Sequence, residues 1–167
     1  MKISMYQASV PVCIKALNNL KNILKKGEQF AETKKVKPEV LLNNRLAVDM
    51  YPLLKQVQIV SDTTKGAGGR LAGIELPKFE DNEQSFSDLY TRIDKTIAFL
   101  ESIKPEQVDG SEEKEIVLKF GPNEFRFDGI NYLLGFVLPN LGFHMSAAYN
   151  ILRHNGVALG KSDFLGS

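Results

Sequence analysis

The chain has 167 residues, 43% of them hydrophobic, and its 21 Lys and Arg residues nearly balance 20 Asp and Glu residues to a net charge of +1. This length fits one domain with a real core, so we expect residues 1–167 to form a single domain. The balanced charge predicts no general attraction to nucleic acid, and no stretch approaches the about 18 apolar residues that a membrane span would need.

The first predicted helix covers residues 4 to about 34, with Ser4 as its N-cap. Pro11 lies inside this segment and predicts a kink or a break. The only cysteine, Cys13, lies on the apolar stripe, which favours a buried thiol over a nucleophile. A lone cysteine, together with an N-terminus that does not resemble a secretory signal, favours a cytoplasmic protein. The stripe recurs at steps of three and four residues: Val10, Cys13, Ile14, Leu17, Leu20, Ile23 and Leu24.

Pro38 predicts a short helical turn, and a longer second helix follows from about residue 46 to residue 72. Pro52 either bends this helix or marks its true start, and Gly73 is its expected C-cap. The glycine-rich run KGAGGR at residues 65–70 superficially resembles a phosphate-binding loop. Such a loop needs a preceding strand and a following helix, so small residues at a close helix contact are the better interpretation.

A third helix begins after Ser85 and ends before Pro105. Apolar residues then alternate with polar ones on both sides of a turn at residues 121–124, which predicts a β-hairpin over about 114–128. Asp128 caps a last helix over about 129–154, and the tail 161–167 packs against the bundle or extends from it. These elements predict an all-α protein: an antiparallel four-helix bundle with one small hairpin before its last helix.

Polar residues interrupt the apolar faces of two of these helices. Asp49 and Gln56 fall on the stripe of the second helix, with Arg45 one turn before Asp49 as an available partner. Asn140 and His144 lie four residues apart on one face of the last helix. Because a buried carboxylate needs a partner, we predict that Asp49 and His144 lie within reach of each other and that the carboxylate raises the pKa of the histidine.

Three interpretations of this group remain open. The group could form a hydrogen-bonded network that fixes the helix register, line a small-molecule pocket, or bind a metal through His144 and Asp49. One histidine, one aspartate and two amides are a poor zinc set compared with three histidines. The favoured expectation is therefore that no cofactor binds, and the alternative is a divalent metal such as Zn or Ni. His154, at the helix end, is interpreted as a cation that favours the helix dipole.

Several motifs together resemble a bacterial family of unknown function that is grouped with the DinB/YfiT-like superfamily of metalloenzymes. The motifs are SMYQASVP at 4–11, RLAVDMYPL at 45–53, KGA at 65–67, RLAG at 70–73, YNILRHNG at 149–156, LGK at 159–161 and DFLG at 163–166. The resemblance implies a four-helix bundle, often dimeric. It also implies a divalent metal held by three histidines, one on the second helix and two spaced by four on the last.

Carried onto this chain, the implied ligand positions fall near Asp49 and at Asn140 and His144, so only one histidine is retained. We therefore expect a DinB-like protein with a degenerate metal site between the second and last helices. One alternative is a metal-dependent hydrolase or low-molecular-weight thiol transferase, as the resemblance implies. Another is a non-enzymatic homodimer that binds a small molecule or serves as an interaction module.

Overall fold

The structure, a computed structural model, describes residues 2–166 and is mostly helical. Its elements are α1 Met5–Lys34, α2 Pro38–Leu42, α3 Leu53–Ala72, α4 Phe86–Glu101, α5 Pro105–Val108, β1 Ile116–Phe120, β2 Asn123–Phe127, α6 Gly129–Asn131, a π-helical segment Tyr132–Val137, α7 Leu138–His154 and α8 Lys161–Leu165. None of the helices in this part of the chain is both long and apolar enough to cross a membrane.

Helix α1 begins where the sequence predicts. The Ser4 hydroxyl accepts a hydrogen bond from the Gln7 backbone, and the Gln7 side chain accepts one from the Ser4 backbone, which completes a capping box. The helix continues through Pro11 without the break that the sequence suggested. Cys13 is fully buried, and burial raises the pKa of its thiol to about 12, so the thiol packs as an apolar group.

Helix α3 begins seven residues later than the predicted start at residue 46. Pro52 is its N-cap, and residues 44–52 form an irregular segment that is largely exposed. The physical reason is the proline, which lacks an amide hydrogen and disfavours helical backbone in the residue before it. Asp49 therefore lies on an exposed turn and not on the apolar face of a helix, which corrects the predicted position.

The glycines of α3 provide close packing, as the small-residue interpretation predicts. All of Gly66, Gly68 and Gly69 are helical and buried. A Cβ atom at Gly68 would lie 2.5 Å from Leu100 Cδ2 and 2.8 Å from Ile103 Cδ1. The missing side chain thus lets α3 approach the end of α4.

The hairpin is antiparallel, with Ile116 opposite Phe127 and Phe120 opposite Asn123, and it is the one sheet within residues 2–166. It leads into the last helical stretch, where Asp128 caps α6 and the chain continues through the π segment into α7. In the core, α1 packs against α3 and α4, and α3 packs against α4 and α7. Helix α8 covers α1, where Asn19 donates a hydrogen bond to the Phe164 carbonyl; Ser167 of the predicted tail lies outside the described residues.

Candidate functional site

Helices α3 and α7 bring together two of the predicted site residues, Gln56 and His144. The Nδ1 atom of His144 lies 2.6 Å from Gln56 Oε1, and Gln56 Nε2 donates to the Tyr51 carbonyl at 2.9 Å. Gln56 is only 1% exposed, whereas the His144 side chain is half-buried. A chain of hydrogen bonds therefore runs from the backbone before α3 to the imidazole on α7.

One helical turn away, Asn140 takes a different partner. Its Nδ2 atom donates to Thr63 Oγ1 at 2.9 Å. Farther along the same contact, Arg70 Nη1 donates to the Tyr132 hydroxyl at 3.0 Å. The three residues that α3 contributes, at positions 56, 63 and 70, are spaced by seven, so they follow one face of the helix. We call these three pairs the polar seam.

The structure does not place Asp49 and Arg45 in this site. Both side chains are exposed, and Arg45 donates only a long hydrogen bond, 3.4 Å, to the Val48 carbonyl. Among residues 2–166, Asp49 makes no ion pair and no side-chain hydrogen bond, with His144 or with Arg45. The predicted Asp49–His144 pair is therefore wrong, because the turn that holds Asp49 precedes the helix.

The predicted direction of the His144 pKa is also wrong. Burial lowers the pKa of the imidazole below its ordinary value, and the group that contacts its ring nitrogen is a neutral amide. An uncharged imidazole is therefore the expected state at neutral pH. His154, in contrast, is exposed at the end of α7, the position in which the sequence placed it.

The donor set of the seam does not fit the divalent metal that the resemblance implies. The seam offers a single imidazole, and the residues beside it are amides, which are weak ligands for Zn and Ni. The remaining candidate ligand, Asp49, lies on the exposed turn. Within residues 2–166, no three His, Cys, Asp or Glu side chains form a group that could hold a metal ion.

Sequence reasoning missed a second buried polar group, centred on Arg92 of α4. This side chain is 2% exposed and pairs with Asp62 of α3 and with Asp81 and Glu83 of the loop 74–85, at 2.8–3.0 Å. Its Nε atom also donates to Ser61 Oγ at 3.2 Å. The signal was present in the sequence, because position 92 falls on the buried face of α4 and a buried arginine needs partners of opposite charge.

The loop 74–85 is held against α3 and α4 by this group. Phe79 lies under two cations, with its ring centre 4.2 Å from Lys65 Nζ and 5.6 Å from the Arg92 guanidinium carbon. A polar cleft of about 680 Å³ lies between the loop and α4. Both Nη atoms of Arg92 are occupied by protein carboxylates. These ion pairs tether the loop to α3 and α4.

The mostly helical fold, with its small hairpin before the last helix, is DinB-like. Its structure is similar to that of a DinB family member protein from Shewanella denitrificans, with 38% identity and a TM-score of 0.88, over 97% of this chain and 92% of the other. The chain belongs to the family described as Domain of unknown function (DUF1993), whose model matches residues 5–165. Comparison with curated proteins gives no match.

Proposed function

We propose that this protein binds a small molecule at the polar seam without a metal ion, and that His144 contacts the ligand. The observation that supports this most strongly is the open nitrogen of the imidazole. Nδ1 is engaged by Gln56, whereas Nε2 makes no hydrogen bond to any described residue and reaches solvent. A histidine held by one nitrogen and open at the other is arranged for contact with a ligand.

The rigidity of its surroundings also favours a binding role. Gln56 is buried on α3 and its amide donates to the Tyr51 carbonyl, so the imidazole is hydrogen-bonded to a side chain that is itself held in place. A side chain fixed in this way loses little conformational freedom when a ligand binds. Asn140 Oδ1, four residues before His144, also lacks a partner among the described residues and reaches solvent.

We further propose that an antiparallel four-helix bundle of α1, α3, α4 and α7 is the frame of this site. The packing of α1 against α3 and α4, and of α3 against α7, supports this architecture. In such bundles, ligand sites are built from side chains on facing helices, which is the relation between Gln56 and His144.

A fragment screen by thermal shift tests the proposal. We expect several neutral fragments to raise the melting temperature of the wild-type protein but not that of His144→Gln, because the contacted nitrogen is lost. His154→Gln removes the other, exposed imidazole and should respond as the wild type does. Equal responses from all three proteins would place binding away from the seam. A screen in which only divalent metals stabilise the wild type would instead favour the metal-dependent hydrolase or thiol transferase.

A further inference from the structure

The direction of the Gln56 amide determines which nitrogen of His144 carries the proton. The Tyr51 carbonyl can only accept a hydrogen bond, so the amide group that faces it, at 2.9 Å, must be the NH₂. Rotating the amide by half a turn would set two carbonyl oxygens against each other. The amide oxygen consequently faces His144 Nδ1 at 2.6 Å.

A carbonyl oxygen at this distance needs a donor, so Nδ1 must hold the ring proton when the imidazole is neutral. The remaining nitrogen, Nε2, is then an unprotonated acceptor that reaches solvent. Asn140 presents a second acceptor on the same helix face, since its NH₂ donates to Thr63 and its oxygen is open. The open nitrogen of His144 and the open oxygen of Asn140 are thus both acceptors.

An exposed aromatic ring lies beside these acceptors. Phe143 is 58% exposed, and its ring meets the His144 ring edge to face, with centroids 5.1 Å apart. An apolar surface next to a hydrogen-bond acceptor is complementary to an apolar molecule that carries a donor. While the imidazole is neutral, an anion is disfavoured, because its lone pairs would face the lone pair of Nε2.

We propose that Gln56 holds His144 as the Nδ1–H tautomer, and that Nε2 and Phe143 together bind an apolar ligand through its hydroxyl or N–H group. The ligand half of this inference rests on the function proposed above. The tautomer half does not, because it follows from the Gln56 contacts alone. Gln56 is accordingly a positioning residue, acting on the ligand only through His144.

Nitrogen NMR of the two imidazole rings at mildly alkaline pH tests the tautomer. In the wild-type protein we expect His144 Nδ1 to be the protonated nitrogen and Nε2 the bare one. In Gln56→Met, which keeps the size but loses the amide, the proton should redistribute toward Nε2. His154 supplies an internal reference that this change should not move, and the variant His154→Gln assigns the two rings. A protonated Nε2 in the wild type would overturn the inference, whether or not Gln56→Met folds.

Titration with phenol and with anisole, followed at the His144 Nε2 resonance, tests the ligand class. The two probes share an aromatic body, but only phenol has a donor, so we expect anisole to bind roughly five-fold more weakly. Inorganic phosphate should leave the resonance unmoved. Equal binding of phenol and anisole would overturn the donor requirement while small-molecule binding stands. If the tautomer is as expected but neither probe moves the resonance, the ligand half and the proposed function both fail.

Discussion

His144 is held by a neutral partner, and this makes the stability of the protein depend on pH in a defined direction. Burial lowers the pKa of the folded imidazole below its ordinary value of about 6.5. As the pH falls, the unfolded chain therefore takes up a proton at this position before the folded chain does. Protonation favours the unfolded state in this interval, so the free energy of unfolding decreases.

We expect the wild-type protein to lose more stability between about pH 7.5 and pH 5 than His144→Gln does, because the variant has no imidazole to protonate at the seam. Urea denaturation at a series of pH values measures the difference. His154→Gln controls for the loss of a histidine as such. Parallel pH curves for the wild type and His144→Gln would show that burial does not oppose the charged ring.

At the scale of secondary-structure elements, most boundaries were predictable because they depend on local chemistry. Caps at Ser4, Ser85 and Asp128 and the left-handed C-cap at Gly73 follow from residue type and spacing. Of the two starts that the sequence left open for α3, Pro52 is confirmed and residue 46 is wrong, because apolar residues continue at helical steps across the proline and spacing alone does not reveal its missing amide hydrogen.

Part of the candidate site could be predicted from the sequence and part could not. Gln56, Asn140 and His144 were found from polar residues on apolar faces, and α3 and α7 do bring Gln56 and His144 together. Their pairing was not predictable, since it depends on how far α3 is shifted along α7. Asp49 was misplaced with the helix start, and the contacts of Arg92 depend on where the loop 74–85 folds back.

The ion pairs of Arg92 hold the loop 74–85 against α3 and α4. Arg92→Met would leave Glu83, which is 7% exposed, without its cation, and would also release Asp62 and Asp81. Because the last two carboxylates are half-exposed and screened, we expect a loss of about 2–3 kcal/mol in the free energy of unfolding, below the full value for a buried pair. Urea denaturation measures it. Lys21→Met, which breaks the more exposed pair with Asp94, should lose under about 1 kcal/mol. Similar losses in the two variants would contradict a tethering role.

Gly68 tests the packing of α3 against α4. Gly68→Ala should destabilise the protein by about 1–3 kcal/mol, although alanine favours helix, because its Cβ would collide with Leu100 and Ile103. Ser87→Ala on the exposed face of α4 is the control and should have little effect. A stabilised Gly68→Ala protein, measured by thermal unfolding, would mean that the two helices can separate without loss.

At the scale of the whole molecule, we propose that two copies of the chain associate. Val12 and Leu165 are 41% and 48% exposed, and with Leu141, Gly142 and Met145 they line an apolar groove of about 300 Å³. A second copy that covers this surface would bury side chains that water otherwise contacts. The cytoplasmic location also stays a prediction, with which the free, buried thiol of Cys13 is compatible.

Analytical ultracentrifugation tests this association. We expect a dimer at micromolar concentration, and a monomer for Gly142→Arg, since a side chain there meets open space within its own chain and should leave the fold intact. Ser87→Arg, an equally bulky change on α4, should remain dimeric. A monomeric wild type would contradict the proposal, as would a dimer that Gly142→Arg does not weaken.

We propose that His144 contacts its ligand without a metal ion, and elemental analysis is the sharpest test of this proposal. The protein is purified without chelator, incubated with Zn²⁺ or Ni²⁺, desalted and analysed beside His144→Gln. Because one open imidazole flanked by amides is a weak ligand set, we expect metal far below stoichiometric amounts in both proteins. A stoichiometric metal in the wild type that disappears in His144→Gln would contradict metal-free binding at His144.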